Sequence, residues 1–213
     1  MHFCHKRTLH PDPLLTLNSV NIPIVTETKF RGLFFDNKLS YIPHLKYIQA
    51  KCLRSMNLLR IVAHMDWGGD RQTLLRLYRC LIRTKLDYGC IVYGAARKSY
   101  ISMLDPVQNQ ALRVCLVAFR TSPVESLQVE ANEPSLAQRR NKLSVLYALR
   151  LASNIHNPVY DDVFFPRYQP LFEKRPKTVP TFGIRILRQF RDIDIDPFTV
   201  AQFCHPLVPA WIC

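Results

Sequence analysis

At 213 residues, with 48% hydrophobic and 21% charged residues, the chain is long enough for one large domain or two small ones and too apolar to be disordered throughout. Its net charge of +13 is uneven: residues 1–120 carry +11 and residues 121–213 only +2, so an anionic partner, nucleic acid above all, belongs with the first part. No run approaches the ~20 apolar residues of a membrane span, which argues against a membrane partner, and seven cysteines without a C-x-x-C pair point to a reducing, intracellular setting, nucleus and cytoplasm being indistinguishable.

The start, MHFCHKRTLHPDP, lacks the apolar run of a signal peptide and reads as if cut from something longer. Leu14–Asn18, Asn21–Val25 and Thr28–Asp36 are short apolar or alternating runs of β type, with Asn18-Ser19 as a tight turn. Helices follow. Ile42 to Val62 sets Leu45, Ile48, Cys52, Met56 and Leu59 on one face and Lys46, Lys51 and Arg54 on the other, with Pro43 in the first turn. Asp70 is placed to cap the next helix, Arg71 to about Leu86. There Leu74, Leu77, Tyr78, Leu81 and Ile82 form an apolar stripe, and Arg76, Arg79 and Arg83 a basic one. Three guanidinium groups in a row are costly to hold together unless something negative lies opposite.

Gly89 and Gly94 bracket a short apolar link. Asp105-Pro106 reads as N-cap and first-turn proline of a helix through Phe119, apolar almost all round and therefore central. Ser122-Pro123-Val124-Glu125 has the form of a capping box before a short helix to about Val129, and Ser135 with Gln138 opens another to about Ala152. Arg139 and Arg140 either dock the tail or pair with Glu130 and Glu133. Beyond Asn154 proline recurs, and the expectation is an extended tail that wraps a neighbour or is partly disordered. The fold class is therefore α+β, mainly α. It has a β-hairpin or meander over 1–40, a helical bundle over 41–153 and an irregular Pro-rich tail over 154–213.

No catalytic or metal site emerges. Tyr160-Asp161-Asp162 reads as a solvated helix end or turn, and Asp192, Asp194 and Asp196 lack the glycine and terminal glutamate of a calcium loop. His2, Cys4, His5 and His10 lack the paired spacing of a zinc site, and Cys204-His205 has no complementary ligand pair.

Three stretches carry a family resemblance: HPDPLLTLNSVNIPIVTETKFRGLFFD, LLRLYRCLIRTKLDYGCIVYG and LDPVQNQALRVCLVAFRTSPVESLQVEANEPSLAQRRNKLSVLYALR. Together they resemble the part just downstream of the catalytic core in reverse transcriptases of non-LTR retrotransposons, especially Jockey-like elements, from about Met1 to Arg188. The resemblance implies that 1–40 is the edge of a palm, with a primer-grip-like hairpin at Phe30, Gly32 and Leu33. It implies a thumb over 41–153 and a connector over 154–213. The family is an RNA-directed DNA polymerase whose aspartates hold two Mg2+ ions, and these aspartates lie upstream of the hairpin. The isolated chain is thus expected to have no catalytic centre or cofactor of its own and to partner the missing palm and fingers. Lys46, Lys51, Arg54, Arg76, Arg79, Arg83 and Lys85 are then expected to hold the backbone of an RNA–DNA or DNA duplex without reading bases. Two departures stand out: the family usually has an apolar residue in place of Arg31 and a glycine in place of Val117. A core-facing arginine is expensive, and a valine resists positive φ. The rival reading is a non-catalytic helical protein-interaction module with a basic face.

Overall fold

Turn chemistry decides the N-terminal strands. β1 (Thr16–Leu17) and β2 (Val20–Asn21) pair antiparallel across Asn18 and Ser19, whose φ values are 48° and 62°. The paired strand ends at Asn21, short of the expected Val25, and just beyond it the Ile22 N–H donates to the Leu15 carbonyl (2.8 Å). β3 (Glu27–Phe30) and β4 (Leu33–Asp36) form a second hairpin, with Phe30 opposite Leu33 and Lys29 opposite Phe34. Its two-residue turn, Arg31-Gly32, has φ of 48° and 81°, the doubly positive geometry that matches strand twist. Arg31 therefore stands in an exposed turn, not on a core-facing strand, and the anticipated burial penalty does not arise.

The computed structural model describes residues 1–3, 14–64, 68–174 and 179–200; Cys4, His5, His10, Trp67, Cys204 and His205 lie outside the described residues. The chain divides into two units, Met1–Arg139 and Arg140–Cys213. In the first, α1 (Ile42–Val62) begins where expected. The Asp36 carboxylate accepts hydrogen bonds from the N–H groups of Ser40 (3.0 Å) and Tyr41 (2.9 Å), tying the hairpin to the helix start. Burial pushes the Asp36 carboxyl up, but these bonds prevail and hold it below its ordinary range. Leu45, Ile48, Cys52, Met56 and Leu59 are all buried, as their spacing predicts.

α2 (Arg71–Tyr78) starts at Asp70, which accepts from the N–H groups of Gln72 (3.0 Å) and Thr73 (3.4 Å). It does not run on as a plain helix to Leu86. A π-helical turn, Arg79–Arg83, intervenes before α3 (Thr84–Asp87). Past Gly89 come α4 (Cys90–Tyr93), α5 (Lys98–Ile101), a 3-10 turn at Ser102–Leu104 and α6 (Asp105–Leu116). α6 packs on α1, α2 and α7 (Val124–Ala131), the central place its apolar surface requires. The 3-10 turn runs straight into α6, so Asp105 is not its cap. α6 ends at Val117 with φ 50°, a left-handed residue that is 71% exposed. A valine there sacrifices roughly 1–2 kcal/mol against glycine's freedom. The expected capping box at Ser122 does not form, because Pro123 is the N-cap of α7. The one at Ser135 does. Its N–H donates to Gln138 Oε1 (3.1 Å), and its hydroxyl accepts from the Gln138 N–H (3.3 Å), opening α8 (Leu136–Ala152).

The second unit corrects the expectation of an extended tail. Ala148, Leu151 and Ala152 form one core with Val163 and Phe164 of α9 (Tyr160–Phe164) and Ile186 and Phe190 of α11 (Phe182–Asp192). The prolines punctuate short helices instead of unwinding the segment. Pro170 sits in the first turn of α10 (Gln169–Lys174), Pro180 precedes the N-cap Thr181, and Pro197 opens a 3-10 turn at Pro197–Thr199. Asp161 and Asp162 are exposed in the first turn of α9. Asp194 adopts φ 53° and Asp196 accepts from the Phe198 N–H. Among the described residues no three His, Cys, Asp or Glu side chains are grouped to hold a metal ion, and no helix is long and apolar enough to cross a membrane.

Candidate nucleic-acid interface

Two short motifs inside the quoted stretches, KF-x-G-L (29–33) and L-D-Y-G (86–89), meet in space. The Tyr88 hydroxyl donates to the Arg31 carbonyl (2.6 Å), so L-D-Y-G clamps the turn of KF-x-G-L. A Cβ on Gly32 would stand 3.2 Å from the Tyr88 ring, and one on Gly89 2.5 Å from Leu33. Both glycines also have positive φ, so neither position admits a side chain cheaply. Within the primer-grip-like set, Leu33 is buried against this clamp, Gly32 touches Tyr88, and Phe30 projects with 64% of its surface exposed.

Beside the hairpin, α1 turns a cationic face to solvent. Lys46, Lys51 and Arg54 are exposed, and the last lies eight residues, or roughly 12 Å of helix, beyond the first. Two groups that sequence reasoning missed join them. The Lys29 ammonium lies 5.5 Å from the ring centres of both Phe34 and Tyr47, and Lys51 lies 5.6 Å from Tyr47. Tyr47 thus holds one cation from the hairpin and one from α1. The i,i+4 spacing of Tyr47 and Lys51 is a signal the sequence does carry; the approach of Lys29 needs the hairpin register.

The arginine stripe of the second helix divides. Arg76 is exposed. Arg79 Nε donates to Glu133 Oε1 at 2.5 Å, and Arg83 Nη1 donates to both Glu133 oxygens at 2.9 and 3.0 Å. The Glu133 side chain is 1% exposed, against 36% and 26% for the two arginines. The negative group that the stripe demands is therefore the chain's own buried carboxylate. Arg71 pairs with Glu130 and also donates to its backbone carbonyl at the end of α7. Arg139 holds Asp87, not either glutamate, through Nη2 (2.8 Å) and Nε (3.2 Å). That hydrogen bond raises the Arg139 guanidinium further above its usual range. Lys85 donates to the Ser55 hydroxyl of α1. Burial pushes the Cys52 thiol up to about 11 and the Cys115 thiol up to about 12, so both behave as small apolar groups.

The chain is similar to known proteins over about half to two thirds of its length. It is 32% identical over 119 residues, 55% of this chain, to the "Retrovirus-related Pol polyprotein from type-1 retrotransposable element R1" of Bradysia coprophila. Over such stretches the chain is similar to RNA-directed DNA polymerases of transposable elements. The "Probable RNA-directed DNA polymerase from transposon BS" of Drosophila melanogaster is 29% identical over 118 residues, 51% of the chain. The "RNA-directed DNA polymerase from mobile element jockey" of the same fly is 27% identical over 150 residues, 68% of the chain. The alignments cover 12%, 13% and 16% of those three proteins, so the chain spans a small part of each. No protein-family model and no solved structure matches it.

Proposed function

We propose that this chain is the part of a retrotransposon RNA-directed DNA polymerase that grips template–primer duplex as a thumb. It has no catalytic centre of its own, and the remaining palm and fingers are its structural partner. The observation that supports this most is the outward cationic face formed by Lys46, Lys51 and Arg54, extended by Lys29 beside the clamped hairpin. These groups are free to neutralise phosphates in a way that Arg79 and Arg83, committed to Glu133, are not. The mode is contact with phosphate and sugar, which tolerates any sequence being copied. Arg76 lies outside the Glu133 cluster. The two Mg2+ ions of the reaction would be held by aspartates elsewhere in the polymerase.

A second reading, a protein-interaction module, draws on the first hairpin, where Leu14 (89%), Leu17 (66%) and Val20 (68%) are exposed. The remainder of a polymerase would cover the same surface, so the hairpin alone does not favour the rival. Binding to a labelled RNA–DNA hybrid separates the two. Between about 50 and 200 mM salt, an interface neutralising four phosphates loses on the order of 100-fold in affinity. Absence of binding at low salt removes the grip.

A further inference from the structure

We infer that the cleft between α2 and α7 is a site for a phosphate monoester, with Glu130 occupying it in the ligand's absence. The cleft, about 480 Å³, is lined by Arg71, Gln72, Arg76, Arg79, Glu130 and Asn132 among others. Three guanidinium groups face one lining carboxylate there. Glu133 lies outside the lining and is taken up by Arg79 and Arg83 together. With Glu130 displaced and Arg79 committed to Glu133 at the cleft wall, Arg71 and Arg76 present two positive charges, the complement of a dianion.

The parts differ in how firmly they are held. Arg79 is anchored by Glu133, and its Nη2 reaches the Ala131 carbonyl at 3.5 Å, so this guanidinium is fixed at the cleft wall. Arg71 is tethered to the Glu130 backbone carbonyl, which keeps it in place whatever its carboxylate partner does. The Arg71–Glu130 side-chain pair is 48% and 60% exposed, and such pairs contribute little, so a competing anion displaces Glu130 cheaply. Arg76 is exposed, and no salt bridge among the described residues engages it. The start of α2 plays no part, because Asp70 already accepts from Gln72 and Thr73. Planar guanidinium forks match phosphate oxygens in pairs. A monoester offers three terminal oxygens and two charges, whereas a backbone diester offers two oxygens and one.

The site is separate from the duplex face of α1, and so is its test. Inorganic phosphate is titrated into the full chain at constant ionic strength, followed by calorimetry and by the arginine side-chain NMR signals. Saturable binding that moves the Arg71 and Arg76 signals is expected. Arg76→Gln lowers affinity at least tenfold, Glu130→Gln raises it several-fold, and K46A/K51A/R54A leaves it unchanged. Both single changes are at exposed positions and leave the fold intact. A second arm compares a short single-stranded oligonucleotide with and without a 5′-phosphate. Preference for the phosphorylated form assigns the site to a strand end; equal binding, with inorganic phosphate still bound, assigns it to the free ion. No saturable phosphate binding, or an affinity unmoved by both Arg76→Gln and Glu130→Gln, overturns the inference.

Discussion

α1 and the α2–α3 segment each carry three cations on one stripe, and the two rows have opposite fates. Lys46, Lys51 and Arg54 remain in solvent. Of Arg76, Arg79 and Arg83, the last two close on Glu133, which contributes a fully buried carboxylate. The difference lies in what packs opposite. Among the described residues no salt bridge engages the exposed side of α1, whereas the α2–α3 segment faces the end of α7, where carbonyls and glutamates converge and a cation is favoured. Helical spacing alone therefore does not mark a basic stripe as a ligand surface; the identity of the neighbouring helix end decides.

Replacing cations on each side tests that contrast. The largest effect belongs to R79A/R83A, which leaves Glu133 buried without a partner and is expected to destabilise the fold by about 3–5 kcal/mol in urea melts. A loss below about 1 kcal/mol would mean that Glu133 finds water and that the pair is incidental. Next comes Arg139→Ala, which removes a forked, partly buried bond to Asp87, with an expected loss of about 1.5–3 kcal/mol by the same method. The smallest effect is a pH dependence. Asp36 titrates below its ordinary value of 3.8 because Ser40 and Tyr41 donate to it. The stability it adds is present above that value and is lost as pH falls through the lower folded one. Asp36→Asn should flatten the decline of Tm below about pH 4. An unchanged profile would detach the carboxylate from the turn between β4 and α1.

Local signals were legible and long-range ones were not. The bounds of α1, the Asp70 cap, the Ser135–Gln138 box and the Asn18-Ser19 turn each follow from residues within four positions of one another. The Glu133 cluster joins residues 50 and 54 positions apart, and no periodicity announces such a partner. The π-helical turn at Arg79–Arg83 breaks the 3.6-residue repeat from which the arginine stripe was read. Recurrent proline after Asn154 suggested an extended strap, yet prolines at helix starts accommodate α10 and α11. The similarity to retrotransposon polymerases was readable from motifs, KF-x-G-L and L-D-Y-G among them, and in this chain each motif's glycine makes room for the other motif's side chain.

The most direct measurement is the salt dependence of RNA–DNA hybrid binding by the unmodified chain and by K46A/K51A/R54A, with folding checked by urea melts. Exposed substitutions should leave stability within about 0.5 kcal/mol, and the slope of log affinity against log salt should fall by nearly three units. An unchanged slope in a folded variant would contradict the assignment of the duplex grip to α1.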